Sequence, residues 1–450
     1  MNRIGKRANA VFLLVMILLG GLGFFVTEYL QNGSKWVMTH GNPHVYHGDK
    51  LIRGQVVDRE GVFLMELGEN RTYAAALEIR EATLHWLGDR KGNIHAPLLR
   101  NYRQQLVGFN PVTGLYTYSN QDQAVLTISA QVQMTALEAL GERKGTVAVY
   151  NYKTGELLCA VTSPTYDPDH EPQQALEGMY MNRFLQSAYV PGSIFKIVTT
   201  AAAIEYIPDI QEQTFHCTGR VEYGPDAVTC EKAHGKLDFD SAMAQSCNCA
   251  YARIIEQIGQ KRLADYVEKT MVTQSVHFDG ITSASGNFDV TQVAPVELAW
   301  SGIGQHTDQI NPARFLTFVG AIANGGQGPK PHIMAQVKNG DKIIYEAETL
   351  QDDRIIPEEV ALELQRMMRN NVTEKYGDDN FPGLMVCAKS GTGQVGGELK
   401  ANAMFAGFVA DEAYPLAFVV AVEEGGYGRT TCVPIIAKVL KSCTDVMDRS

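Results

Sequence analysis

Residues 189–206 read YVPGSIFKIVTTAAAIEY. Pro191-Gly192 is a turn signal directly ahead of Ser193, and Lys196 follows three positions later, so on a helix the hydroxyl and the amine share a face. Ile194, Phe195, Ile197, Val198 and the alanine run supply apolar surroundings. Burial of that kind lowers an amine's pKa, which a lysine needs before it can take a serine proton. Ser193 at a helix start also meets free N–H groups that favour a developing negative charge. Taken alone, the pair reads equally well as a capping serine and a surface lysine, because so short a pattern recurs by chance.

Two further motifs decide between these readings. Ser-x-Asn occurs at Ser246-Cys247-Asn248 and at Ser285-Gly286-Asn287, and Lys-[Ser/Thr]-Gly occurs at Lys153-Thr154-Gly155 and at Lys389-Ser390-Gly391. The first Lys-Thr-Gly precedes Ser193 and lies between two apolar runs, GTVAVYNY and ELLCAVTS, where turn chemistry explains it. Ser285-Gly286-Asn287 lies in a loop of small residues. Ser246-Cys247-Asn248 instead falls inside FDSAMAQSCNCAYARIIEQIG, which reads as one helix over 239–259, where two polar side chains need a reason to point inward. Lys389 stands in LMVCAKSGTGQV, a strand pattern running into glycines that let another backbone approach.

The ordered set Ser193/Lys196, Ser246/Asn248, Lys389/Ser390/Gly391/Thr392 resembles the S-x-x-K, S-x-N, K-[ST]-G triple of the penicillin-binding proteins and serine β-lactamases. RGQVVDREG at 53–61 resembles the amino-terminal signature of class B penicillin-binding proteins, and VLTISAQVQ, SGIGQHTDQINPARFLTFVGAIANGG and AGFVADEAYPLAFVVAVEEG resemble stretches of their transpeptidase domain. The chain departs from the family's usual pattern at Ser390, at His306 and at Asn402–Phe405, which bears on substrate preference. The resemblance implies an α+β fold with an antiparallel sheet flanked by helices. It implies acyl transfer through a Ser193 ester, with Lys196 as base, Ser246 and Lys389 returning a proton to the leaving D-Ala, and Asn248 binding the substrate amide and holding Lys196. Ser390, Gly391 and Thr392 would hold the substrate carboxylate, and the backbone N–H groups of Ser193 and Thr392 would form the oxyanion hole. The implied function is a peptidoglycan D,D-transpeptidase acting on D-Ala-D-Ala stem peptides and acylated by β-lactams. Its implied partners are a membrane glycan polymerase and other cell-wall synthesis proteins. A D,D-carboxypeptidase or β-lactamase, in which water is the acceptor, and a β-lactam sensor or non-catalytic envelope scaffold are the alternatives. The stretch before residue 53 is too short for the glycosyltransferase domain of the bifunctional enzymes.

The rest of the chain fits around this. Arg3, Lys6 and Arg7 precede an uncharged, mostly apolar run over residues 8–27, long enough for a membrane-crossing helix of about 20 residues. The expectation is a single-pass anchor with its amino terminus cytoplasmic and the catalytic domain outside. The expected division is 1–30 for tip and anchor, 31–120 for a small pedestal or dimerisation-like domain, and 121–450 for the transpeptidase domain, with the boundary in the turn-rich stretch 108–123. A net charge of −11 without basic clusters argues against nucleic acid. Eight cysteines form no dense disulfide framework. Cys217 and Cys230 lie in a turn-rich stretch where they can pair, and His216 and His234 beside them permit zinc, but the spacing matches no common pattern. No metal and no cofactor are expected.

Overall fold

The computed structural model describes residues 2–449 apart from 40, 43–44, 48–49, 52–53, 69, 95, 97, 108, 113, 116–121 and 398. Arg53 of the RGQVVDREG stretch and much of the turn-rich stretch 108–123 therefore lie outside the described residues.

The organising element is a five-stranded antiparallel sheet in the order Leu157–Ser163, Gly145–Asn151, Leu416–Val422, Asn402–Val409, Val386–Gly393. Four of its strands, all but Val386–Gly393, are near-continuous apolar runs because both faces are covered. Side chains alternate between two layers. Val147, Val149, Phe418 and Val420 pack with Ile436, Val439 and Leu440 of the Gly428–Met447 helix and with Val132 and Ala136 of the Ala130–Leu140 helix. Ala148, Tyr150, Val419 and Ala421 belong to the other layer with Phe315, Phe318 and Val319 of the Pro312–Ala323 helix. Antiparallel hairpins turn at 152–156, where the sequence places the Lys153-Thr154-Gly155 turn, and at 410–415, between the apolar runs of AGFVADEAYPLAFVVAVEEG.

The two edges of this sheet are treated differently. Along Leu157–Ser163, Gln133 Oε1 accepts from the Ala160 amide at 2.8 Å and Trp86 Nε1 donates to the Ala160 carbonyl at 2.7 Å, so side chains close the edge. These contacts also dock the Leu77–Leu87 helix onto the domain, helped by Gln133 Nε2 donating to the Ala82 carbonyl at 3.0 Å. Among the described residues the Val386–Gly393 edge carries no further strand, and it faces the site described below.

A second, six-stranded sheet runs Lys342–Glu346, Met334–Asn339, Asp122–Leu126, Gln55–Val57, Phe63–Glu66, Thr72–Tyr73 and takes strands from both sides of residue 120. The Gln55–Val57 and Phe63–Glu66 strands pair across a turn, the strand, turn and return strand that the alternating apolar residues on either side of Asp58-Arg59-Glu60-Gly61 imply. Asp58 in its turn is fully buried. One carboxylate oxygen accepts from the amides of Glu60 (2.9 Å) and Val62 (2.7 Å), and the other accepts from the Ala130 amide at 2.8 Å, at the start of the Ala130–Leu140 helix. The carboxylate thus joins the six-stranded sheet to the Ala130–Leu140 helix, which packs on the five-stranded sheet, through the positive end of that helix.

At the amino terminus one helix runs Asn2–Val37, longer than the apolar run alone. Its most apolar window has a mean hydropathy of 2.6 and none of it is buried, so by length and composition it can cross a membrane.

Candidate active site

Ser193 lies not in an α-helix but on the 3₁₀ turn Gly192–Phe195, and the α-helix Lys196–Tyr206 begins behind it. The turn is fixed from three sides. Tyr189 and Ile310 exchange backbone hydrogen bonds at 2.9 Å each, and the Gly192 amide donates to the Gly304 carbonyl at 2.7 Å. The third side is the sheet edge: a Cβ on Gly192 would stand 2.4 Å from the Thr392 carbonyl oxygen, and one on Gly391 the same distance from the Pro191 carbonyl oxygen. Gly192 has φ +54°, so this close approach and the left-handed backbone both require glycine.

The expectation of one helix over 239–259 fails at the motif itself. The structure has two helices, Phe239–Ala244 and Asn248–Ile258, and Ser246 between them has φ +54°, outside the right-handed helical region. The break turns both polar groups toward Lys196. The Lys196 ammonium donates to the Ser246 carbonyl (2.7 Å), the Asn248 Oδ1 (2.7 Å) and the Ser246 Oγ (3.2 Å), with the Tyr251 ring 5.0 Å away. A buried cation needs such a set of acceptors, and the strain at Ser246 is the local cost of supplying them. Burial still lowers Lys196 to about 8, against the opposing pull of the Cys247, Cys230 and Cys249 sulfurs.

Lys389 is also buried, and its ammonium donates to Ser246 Oγ at 3.0 Å and to the Ser390 carbonyl at 2.9 Å. Burial, followed by the charge of Lys196, pushes its pKa well below the ordinary lysine value. The Ser246 hydroxyl is thus the single atom shared by two buried amines.

The open sheet edge forms the opposite wall. The Ser390 amide donates outward to the Tyr376 hydroxyl at 2.8 Å, and Tyr376 Oη donates to Ser390 Oγ at 3.0 Å. Residues two apart on a strand send their N–H groups to the same side, so the Thr392 amide also points off the open edge, toward the Ser193 turn. Gln305 braces the end of this edge, its Nε2 donating to the Thr392 carbonyl at 2.9 Å and its Oε1 accepting from the Gln394 amide at 3.1 Å.

Ser193, Ser246, Asn248, Lys389, Ser390 and Thr392 line one open cleft of about 490 Å³, and Lys196 lies buried behind Ser246 and Asn248. Gly391 contributes close approach to Pro191 and Ile194. The competing motifs are elsewhere: Asn287 pairs with Gln309, and Lys153 bonds Asn324 from the hairpin turn. Cys217 and Cys230 are free thiols with sulfurs 3.8 Å apart. Sequence reasoning missed Tyr376, Gln305, Tyr427 and Arg429, all of which line the cleft. IGQH around Gln305 was the only signal among these.

Comparison with known proteins identifies the family and the fold. Residues 145–441 match the family model described as the penicillin-binding protein transpeptidase domain. The chain is 27% identical over 404 residues to stage V sporulation protein D of Bacillus subtilis, covering 86% of this chain and 60% of that protein. It is 26% identical over 339 residues to the peptidoglycan D,D-transpeptidase PbpA of Mycolicibacterium smegmatis, covering 67% of each. The chain therefore spans about 60 to 67% of the length of these relatives. A ceftriaxone acyl-enzyme complex of penicillin-binding protein A from M. tuberculosis shares the fold with a TM-score of 0.74 at 20% identity, over 88% of this chain and 98% of that one.

Proposed function

This chain belongs to the penicillin-binding protein transpeptidase family, and from that premise we propose that it is a class B peptidoglycan D,D-transpeptidase that cross-links stem peptides through a Ser193 acyl-enzyme. The observation that carries the reading is the Ser246 hydroxyl held between two buried amines, Lys196 and Lys389, in a cleft that also exposes Ser193 and an open strand edge.

In this reading a neutral Lys196 takes the Ser193 proton as its Oγ attacks the penultimate D-Ala carbonyl. The tetrahedral oxyanion is met by the backbone N–H groups of Ser193 and Thr392, each worth roughly 2.7–4 kcal/mol where such donors have been removed from enzymes. Ser246 and Lys389 relay a proton to the departing D-Ala amine, and their shared hydrogen bond supplies the path. Asn248 holds Lys196 and the substrate amide. The hydroxyls of Ser390 and Thr392 on the open edge, with Gly391 allowing close approach, bind the terminal carboxylate beside the Lys389 charge. An amine of a second stem peptide then attacks the ester, re-forming the Ser193 hydroxyl. A β-lactam would enter by the same first step.

The domain division 1–30, 31–120 and 121–450 belongs to this proposal, as does the placement of Asn2–Val37 as a single membrane anchor with the cleft on the extracytoplasmic side. So do a membrane glycan polymerase and other cell-wall synthesis proteins as partners.

The test is stoichiometric acylation by labelled penicillin in detergent-solubilised protein, lost in Ser193→Ala. Label retained by that variant refutes the nucleophile. A thioester stem-peptide mimic separates the acceptors: product formation that rises with added D-amino acid or amine supports transpeptidation, whereas hydrolysis indifferent to amines indicates a carboxypeptidase and rapid penicillin turnover a β-lactamase.

A further inference from the structure

At the wall of the cleft, which Cys230 and His234 help to line, Cys217, Cys230, His234 and Cys247 bring one ligand atom each to within 4.8 Å of one another. Cys217 ends the Thr214–Cys217 strand, Cys230 follows the Asp226–Thr229 strand, and His234 precedes the Gly235–Asp238 strand. Cys247 is the central residue of the Ser246-Cys247-Asn248 motif. The other candidate histidine, His216, is exposed on the opposite face of its strand.

Three of the six separations match one chemistry, and all six fall within 4.8 Å. Cys217 and Cys230 sulfurs are 3.8 Å apart, Cys230 and Cys247 sulfurs are 3.8 Å apart, and Cys217 Sγ lies 3.4 Å from His234 Nδ1. A tetrahedral zinc ion with Zn–S of about 2.3 Å and Zn–N of about 2.0 Å has S–S edges of about 3.8 Å and S–N edges of about 3.5 Å. A disulfide needs sulfurs about 2.05 Å apart and would use only two of these groups. Backbone amides also point at the sulfurs: Ala250 N–H at Cys247 Sγ and Cys249 N–H at Cys230 Sγ, both at 3.4 Å, from the first turn of the Asn248–Ile258 helix. Donors of this kind favour thiolate over thiol.

We infer that these four residues form a closed structural zinc site. Zn²⁺ would bind three thiolates and a neutral imidazole, with the three thiol protons released to solvent and no electron transferred. Three sulfurs and one imidazole in a tetrahedron select Zn²⁺ over Mg²⁺ or Ca²⁺. All four positions are filled by protein, so the ion has no place for a catalytic water. Compact zinc motifs are read from spacing, and this one escapes that reading because its ligands come from separate strands and from the catalytic loop.

The position of Cys247 gives the site its purpose. Three ligands sit on the 214–235 hairpins, and the fourth lies between Ser246 and Asn248. Asn248 Nδ2 already donates to the Thr229 carbonyl at 2.8 Å, one residue before Cys230. The ion fastens the hairpins to the strained loop that holds Lys196. The zinc site stands on the cluster alone, whereas its role as a positioning device rests on the proposed function of Ser246 and Lys196. Cys249, with its sulfur 3.5 Å from Cys230, is the one neighbouring thiol able to substitute as a ligand.

The experiment is metal analysis of the full chain, solubilised in detergent from zinc-supplemented cells, together with penicillin acylation. About one zinc per chain is expected, falling at least fivefold in Cys217→Ser and in His234→Ala and unchanged in His216→Ala. Cobalt(II) exchanged into the wild type is expected to give a thiolate charge-transfer band and the visible bands of a tetrahedral ion, a readout that needs no variant to fold. Chelation is expected to slow acylation at least tenfold, with zinc restoring it. Zinc-free protein with a Cys217–Cys230 disulfide by mass spectrometry overturns the site. Full zinc with acylation unchanged after chelation overturns the positioning role. Full zinc in a wild type that penicillin never labels leaves the site standing and overturns the proposed function.

Discussion

Replacing Gly192 by alanine tests how closely the nucleophile turn must approach the sheet edge. The added methyl would stand 2.4 Å from the Thr392 carbonyl oxygen, 2.5 Å from its carbon and 2.7 Å from its nitrogen, against 3.4 Å for ordinary contact. These are backbone atoms in a paired strand, so no side chain can rotate away, and turn and edge must part by close to 1 Å. A misplacement of about 1 Å in a reacting constellation costs on the order of 100-fold in rate, or about 2.7 kcal/mol of barrier. The φ of +54° at Gly192 adds a stability cost of roughly 1–3 kcal/mol. The assay is the second-order rate of acylation by a fluorescent penicillin, with thermal melting to confirm that the variant is folded. Gly259→Ala is the control. Gly259 has φ +79° and open space around its Cβ direction, so it carries the backbone strain without the collision. Gly192→Ala is expected to acylate about 100-fold more slowly and Gly259→Ala at the wild-type rate. A folded Gly192→Ala protein within threefold of wild type would refute the argument.

Two other predictions concern the scaffold. Asp58→Ala removes a buried acceptor of three amides, of which only Ala130 N–H is cut off from water. It is expected to destabilise the protein by about 3 kcal/mol in denaturant titration, and a loss under 1 kcal/mol would count against Asp58 as the joint between the sheets. His85 is buried against the Met179 carbonyl at 3.0 Å, and burial lowers it to about 4 from its usual 6.5. Between those values the unfolded chain binds the proton and the folded one does not, so stability is full above pH 6.5 and falls toward pH 4, by about 2 kcal/mol at pH 5. His85→Gln is expected to flatten this part of the pH–stability curve, and an unchanged slope would show that His85 is not its source.

Much of the site was legible because its polar groups come in short patterns whose order along the chain is informative. Ser193, Lys196, Ser246, Asn248, Lys389, Ser390 and Thr392 converge as the motifs implied. What the sequence hid was set by long-range contact. The region around Ser246 has helical periodicity, yet Lys196 draws the Ser246 carbonyl and hydroxyl to itself, and a tertiary demand of that kind overrides local propensity. Tyr376 meets Ser390 from a π-type turn, Val372–Tyr376, that carries no motif. Asp58 lies at a turn that the sequence shows, but its physical role appears only with the helix it caps. Sheet and hairpins were easier to read, because strands buried on both faces are continuous apolar runs between turn signals.

The order of strands in the five-stranded sheet has a consequence in time. Gly145–Asn151 finds its inner neighbour in Leu416–Val422, where Val147 pairs with Val420 about 270 residues later. At roughly 5–20 residues per second of synthesis, the first hairpin waits about 14–55 s with an apolar edge unpaired. Contacts of such sequence separation are slow to form and exposed to association while they wait. Because the Lys389 strand joins the same sheet through Asn402–Val409, the nascent chain cannot assemble its cleft until the carboxy-terminal strands are made.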